Sequence, residues 1–364
     1  MMRTEDQLFG QKTLSNSQIA LKHAQKVAGA HGLFLETRHQ SLQQIADLLE
    51  AQIDAGRRTE KRPQNEKPVL LSMHQLDEFA RGSLVACLGE DYKVFAGRRT
   101  PRIPNGDLML ISRVLEIVGR RGELNQPSKI YAEYDVPADA WFFRDNSYSS
   151  IPLSILMEIA LQPCGVLSAY MGTMLLFPDH EFYFRNLDGQ STILRETDLR
   201  GRTISCQATM TSSIVSGETI IQKFSFALSC DGEGFYQGES VFGYFPPQMM
   251  ANQAGLDGGK QVFPWHEESG SKVNESFGFV AGDVSKTVQK FYKQPSDHLN
   301  LIGKQLISVD GGHFGKGYVF ASDRIDPNDW FYTCHFFQDP VMPGSLGVEA
   351  MVQAIQTLVL EKKL

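Results

Sequence analysis

The chain has 364 residues, 42% of them hydrophobic and 21% charged, with a formal net charge of -7. That is the profile of a folded chain of one or two domains. The acidic balance argues against a nucleic-acid partner, and no uninterrupted apolar run is long enough to span a bilayer.

The start, Met1-Met2-Arg3-Thr4-Glu5-Asp6, is charged and has no apolar h-region, so no export signal is expected. Cys87, Cys164, Cys206, Cys230 and Cys334 form no C-x-x-C pair. An odd number of cysteines without an export signal predicts reduced thiols in a cytoplasmic protein. Over residues 1–68 the expectation is a helical extension. Leu42, Ile45, Leu48, Leu49 and Ile53 recur at helical spacing, and Ile19 to Leu35 is similar but broken at Gly29 and Gly32. The polar, basic run from Gly56 to Pro68 reads as a linker.

From Val69 the texture is mixed α and β. Ile155 to Tyr170 is an apolar helix candidate with Pro152 and Ser154 at its start. Strand-like runs follow at Glu181 to Phe184, Thr203 to Thr211, Thr219 to Leu228 and Gly234 to Phe245, with turn residues at Ser216-Gly217 and Asp231-Gly232. One helix followed by long antiparallel strands predicts an α+β unit over 69–248, with the helix lying on a curved sheet. Residues 249–275 read as a second linker. A further unit is expected over 276–364, with a strand at Tyr318 to Ser322 and a helix from about Ser345 to Leu360.

The two units repeat one pattern. Trp141-Phe142-Phe143, Pro152, Glu158 and Gln162 return in order as Trp330-Phe331-Tyr332, Pro343, Glu349 and Gln353. Proline precedes glutamate by six residues in both, and glutamate precedes glutamine by four. The tryptophan-to-glutamate spacing differs, 17 against 19. An ordered set of this kind indicates a duplicated unit. Only the second copy carries a histidine between its tryptophan and its glutamate, His335; the first has none between His74 and His180. The position matching it is Arg144 counting back from Glu158, or Asn146 counting forward from Trp141. One working site and one degenerate site are therefore expected. Nothing in the second copy matches the strands that follow the first helix, so it reads as the N-terminal part of its unit, in a fragment.

The run from Gly311 to Gln353 resembles the bacterial β-hydroxydecanoyl-acyl-carrier-protein dehydratase/isomerase family. The matching words are Gly315-Lys316-Gly317-Tyr318-Val319, Trp330-Phe331, Cys334-His335-Phe336, Asp339-Pro340-Val341-Met342-Pro343-Gly344 and Leu346-Gly347. The first copy is similar more loosely over about Phe95 to Phe245. Together they resemble the double hot-dog dehydratase region of a polyunsaturated-fatty-acid synthase or a related iterative polyketide synthase.

That resemblance implies two paired hot dogs, each a curved antiparallel sheet wrapped on a central helix. It implies a catalytic dyad of His335 with Glu158 across the two copies, and a degenerate site in which Glu349 faces Arg144 or Asn146. It assigns the Val341 carbonyl to the second histidine nitrogen, the Gly344 N–H to the substrate oxygen and Gln162 to holding the acid. It implies no metal and no organic cofactor, the acyl group arriving on the phosphopantetheine arm of an acyl carrier protein. Neighbouring ketosynthase-like and dehydratase domains are the expected partners, with a homodimer as a further option and no membrane. The chain departs from the bacterial type in having glutamate at 158 and 349 where aspartate is usual, and Ser345 where a cysteine is usual.

The residue types suit the chemistry. Dehydration of a 3-hydroxyacyl thioester needs a base for the α-proton, an acid for the leaving hydroxyl and a donor for the enolate-like oxygen. Neutral histidine, a carboxyl in an apolar tunnel and the N–H groups of a helix N-terminus supply these. Two alternatives stand beside this one: a dehydratase that also isomerises the 2-trans double bond to 3-cis, and a non-catalytic scaffold or docking fragment. Gly311 to Gly317 looks like a phosphate loop, but lacks Ser or Thr after Lys316 and leads into a strand, so that reading is set aside.

Overall fold

The computed structural model describes residues 68–252, 258–277 and 293–362; the helical extension expected over 1–68 lies, but for its last residue, outside them. Ser72 opens α1 (Met73–Arg81) with a capping box to Gln75, and Ser83 caps α2 (Leu84–Leu88). β1 (Arg113–Val118) and β2 (Ser128–Asp135) then pair antiparallel. Ser128, Ile130, Ala132 and Tyr134 are the buried positions of β2, the alternation of a strand with one face on a core.

The short helix α3 (Trp141–Asp145) leads to α4 (Leu153–Tyr170), buried on nearly every side. A helix apolar all round must sit inside a core. By length and hydropathy the stretch Leu153–Leu176 would also cross a membrane, although polar residues interrupt it; most of it is buried inside the protein. β3 (Tyr183–Ile193), β4 (Thr203–Ser216), β5 (Thr219–Cys230) and β6 (Glu233–Phe245) complete a six-stranded antiparallel sheet of order β1-β2-β4-β5-β6-β3. Asp231 and Gly232 both take positive φ between β5 and β6, the conformation a two-residue hairpin turn demands. The sheet packs on α4 through β2, β4 and β5. One long antiparallel sheet on one buried helix is a hot dog.

Residues 249–275 are not wholly a linker. They hold most of α5 (Pro247–Ala251), all of α6 (Trp265–Ser269) and the start of β7 (Asn274–Phe277). The boundary expected at 276 therefore falls inside a strand. β7, β8 (Lys304–Ser308) and β9 (Tyr318–Ser322) form a second antiparallel sheet in that order. The helices α7 (Trp330–Cys334) and α8 (Gly344–Glu361) follow. They repeat α3 and α4 in length: five and 18 residues in each copy.

Among the described residues the second copy has three strands, and one face of α8 shows the consequence. Met351, Ile355 and Val359 are exposed at 66, 58 and 38%, whereas their counterparts on α4, Ala160, Cys164 and Ser168, are fully buried.

α4 and α8 pack against each other, and the copies meet around a pseudo-two-fold arrangement of aromatic rings. Trp141 Nε1 donates to Asp107 O at 2.9 Å and Trp330 Nε1 to His298 O at 3.2 Å. The two indoles lie 5.4 Å apart, centroid to centroid, with His298 stacked on Trp141. His298 also reaches Asp145 and Asp107 at 3.0 and 3.2 Å. Each tryptophan therefore ties its own copy's short 3-10 turn, Gly106–Leu108 or Asp297–Leu299, to the junction.

The stability of this fold rests on the first copy's core. Phe224 on β5 is fully buried, so Phe224→Ala is expected to cost about 3–5 kcal/mol, the usual range for emptying a packed aromatic site. Urea unfolding of the two proteins measures it.

Candidate active site

His335 lies directly after α7. Its backbone N–H donates to Phe331 O at 2.8 Å, and its ring stacks on Phe336 at 3.9 Å between centroids. The ring Nδ1 is 2.8 Å from Val341 O. A carbonyl only accepts, so Nδ1 carries the proton and Nε2 holds the free lone pair. Burial pushes the imidazole below its ordinary 6.5; Glu158 and the Val341 carbonyl oppose that shift, and Arg185 reinforces it. The ring is thereby held as a neutral base at neutral pH.

Glu158 stands on α4, 6% exposed. Ser345 Oγ, the second residue of α8, donates to Glu158 Oε1 at 2.6 Å, and Gln162 Nε2 approaches Oε2 at 3.4 Å. Gln162 is itself fixed at both ends of its amide. Its Nε2 donates to Leu108 O at 2.7 Å, and its Oε1 accepts from Leu110 N at 2.8 Å.

His335 and Glu158 line one cavity of about 460 Å³. Gly344, at the first position of α8, lines it too, where its N–H has no intrahelical acceptor. A Cβ there would meet no atom within 4 Å, so the space beside Gly344 is open to an incoming group. Gly165, Phe184, Phe226 and Phe242 give the cavity apolar walls. The loop between α7 and α8 is clamped to the first copy. Arg185 on β3 holds Asp339 through two bonds of 2.5 and 3.0 Å, and Thr100 N–H donates to Gln338 at 3.2 Å.

The matching half of the junction is built alike but lacks a base. Ser154, second residue of α4, donates to Glu349 at 3.1 Å, and Gln353 binds both Glu349 and Leu299 O. Burial raises the Glu349 carboxyl above its ordinary value, against the hydrogen bonds from Gln353 and Ser154. The residue following α3 is Asn146, whose Nδ2 donates to Ser150 O at 2.9 Å. Ser150 and Val341 each stand two residues before the proline that opens the long helix. Asn146 thus copies the anchoring bond of His335 without its second nitrogen.

The expectation that Arg144 faces Glu349 is corrected. Arg144 is 63% exposed at its side chain and pairs with Asp145 at 2.9 Å. It lies two residues before Asn146, on the solvent side of α3. Burial first, then the Glu349 charge, raises the Tyr148 phenol. Leu153 occupies the place of Gly344.

The structure adds the two serines to the site residues expected from the sequence. A signal for them exists, since Pro-x-Ser-x-x-x-Glu occurs at both Pro152 to Glu158 and Pro343 to Glu349.

Residues 294–364 match the family model of the FabA-like domain. The chain is 36% identical over 313 residues to a polyunsaturated fatty acid synthase protein of Thraustochytrium sp., across 81% of this chain and 21% of that protein. It therefore spans about a fifth of the relative's length. Among solved structures it is similar to the dehydratase heterocomplex ApeI:P from Xenorhabdus doucetiae, at 16% identity and a TM-score of 0.31, covering 42% of this chain and 95% of that one. It is also similar to a hypothetical thioesterase protein with coenzyme A from Streptococcus pneumoniae, at 10% identity and a TM-score of 0.25, covering 36% and 85%. At those scores the fold assignment rests on strand order and helix burial instead. The matched residues belong to the second hot dog, which is similar to a FabA-like domain over that stretch. The pair of hot dogs resembles part of a polyunsaturated-fatty-acid synthase.

The ring geometry gives a direct expectation. In ¹⁵N spectra of the protein, His335 should be the neutral Nδ1–H tautomer at pH 7 and should gain its proton only below the ordinary 6.5. A midpoint above 6.5 would contradict the buried, carbonyl-anchored ring.

Proposed function

We propose that the chain dehydrates a 3-hydroxyacyl group held as a thioester on a carrier protein's phosphopantetheine arm, giving the trans-2-enoyl thioester. One observation carries the reading: His335 spends its Nδ1 proton on Val341 O, which leaves Nε2 as a base on the same cavity as the Glu158 carboxyl. In this reading Nε2 takes the proton from the α-carbon. The electron pair moves toward the thioester oxygen, which accepts a hydrogen bond from Gly344 N–H at the start of α8. The Cα–Cβ double bond forms as the β-hydroxyl leaves, taking a proton from Glu158 and departing as water. Ser345 and Gln162 hold the acid through this step. Val341 holds the base in the required tautomer.

The apolar walls at Phe184, Phe226 and Phe242 fit an acyl chain. The reaction is an elimination of water and calls for no metal or organic cofactor. An acyl carrier protein is the partner that the reading requires, with ketosynthase-like and dehydratase domains as neighbours in a cytoplasmic synthase.

The test is incubation of the chain with a 3-hydroxyacyl carrier protein, with loss of one water followed by mass spectrometry. His335→Ala is expected to lower the rate on the order of 10²–10⁴-fold, the usual worth of a positioned base. A wild-type chain that leaves the substrate unchanged, or a His335→Ala variant as fast as wild type, would overturn the reading. The wild-type rate should hold below pH 6.5 and fall only as pH drops through the lowered His335 value, because protonation removes the base.

A further inference from the structure

The turn that begins at Asn105 touches both halves of the site. At one end, Asn105 N–H donates to Cys334 O at 2.7 Å. Its side-chain amide donates to the same carbonyl at 3.0 Å and to Thr333 O at 3.3 Å. The Cys334 carbonyl belongs to the peptide that leads into His335. At the other end, Leu108 O and Leu110 N hold both ends of the Gln162 amide, and Gln162 lies against Glu158. Six residues of first-copy backbone, 105–110, therefore connect the root of the base to the support of the acid. Gly106 makes the approach possible. Its φ is +55°, and a Cβ there would meet Cys334 Sγ at 3.3 Å.

The duplicated half of the molecule supplies the control. Ser296 occupies the place of Asn105, and its N–H donates to Asp145 O at 3.0 Å. The backbone bond across the junction is thus kept in both halves. Asn105 is buried at 7% exposure while Ser296 is exposed, and the bonds from the side-chain amide exist only on the side that carries a histidine. The half in which the next residue is Asn146 closes the same junction with a serine. The fold alone does not need the amide.

We infer that Asn105 is a positioning residue for the pair His335 and Glu158: its side-chain amide fixes the peptide entering His335 at a set distance from the Gln162-held acid. This rests on the dehydratase reading for its effect on rate, though not for its effect on the histidine itself. A displacement of about 1 Å at a reacting group costs on the order of 10²-fold, so a two-donor clamp one peptide from the base is well placed to control turnover.

Asn105→Ser is the test variant, because it reproduces the arrangement that Ser296 already supports and keeps the backbone bond. It is expected to lower kcat on the order of 10- to 100-fold with KM changed by no more than about 2-fold, and to leave the melting temperature nearly unchanged. Ser296→Ala is expected to keep the wild-type kcat. In ¹⁵N spectra, the His335 titration midpoint in Asn105→Ser should move up toward the ordinary 6.5 as the ring gains solvent. Wild-type kcat in Asn105→Ser, or an equal loss in Ser296→Ala, would overturn the inference. If the wild-type chain dehydrates nothing, the functional reading fails, and the spectra decide the positioning role by themselves: His335 signals identical in wild type and Asn105→Ser sink it.

Discussion

A carboxyl group taken into an apolar sheet must be hydrogen-bonded or it destabilises the fold by several kcal/mol. The packing of α4 against α8 meets that demand twice. Each helix begins with a serine at its second position, and each serine donates to the glutamate of the other helix, Ser345 to Glu158 and Ser154 to Glu349. A glutamine one turn later supports each acid, and each glutamine is tied to its own copy's 3-10 turn. The two acids therefore depend on the pairing of the copies. Neither half of the site is complete in a single hot dog.

On that symmetric base the copies differ at two places. His335 stands against Asn146 and Gly344 against Leu153. The first difference leaves the Glu349 side without a histidine, and the second puts a side chain where Gly344 has none. What Asn146 keeps is the structural part of the histidine's job, the bond to the carbonyl two residues before the helix proline. Glu349, buried and serine-bound, then holds the junction together.

The fold was legible where residues repeat or alternate. The apolar run from Ile155, the strands of β4, β5 and β6, and the strand Tyr318–Ser322 were all readable from burial period and turn residues. β1 and β2 were not, because Arg113, Glu116, Lys129 and Glu133 interrupt their apolar residues and only the sheet shows which face is buried. β3 runs on to Ile193 through Asp188-Gly189, a pair that reads as a turn; a bulge between Asn186 and Asp188 absorbs it. At the site, the motif around His335 and the repeat of Pro, Glu and Gln located residues that share the cavity. The mistaken Arg144 came from counting back from Glu158. The two-residue difference between copies lies in the loop before the proline, so only the count from Trp141 reaches Asn146. Asn105 carries no motif of its own, and its meaning and that of the serines come from contacts between residues about 190 to 230 positions apart.

The central claim is that the acid serving His335 comes from the other copy. Turnover of one 3-hydroxyacyl thioester by Glu158→Gln and by Glu349→Gln measures it most directly. The account predicts a loss on the order of 10²–10⁴-fold for Glu158→Gln and a rate near wild type for Glu349→Gln. An active Glu158→Gln beside a dead Glu349→Gln would contradict it.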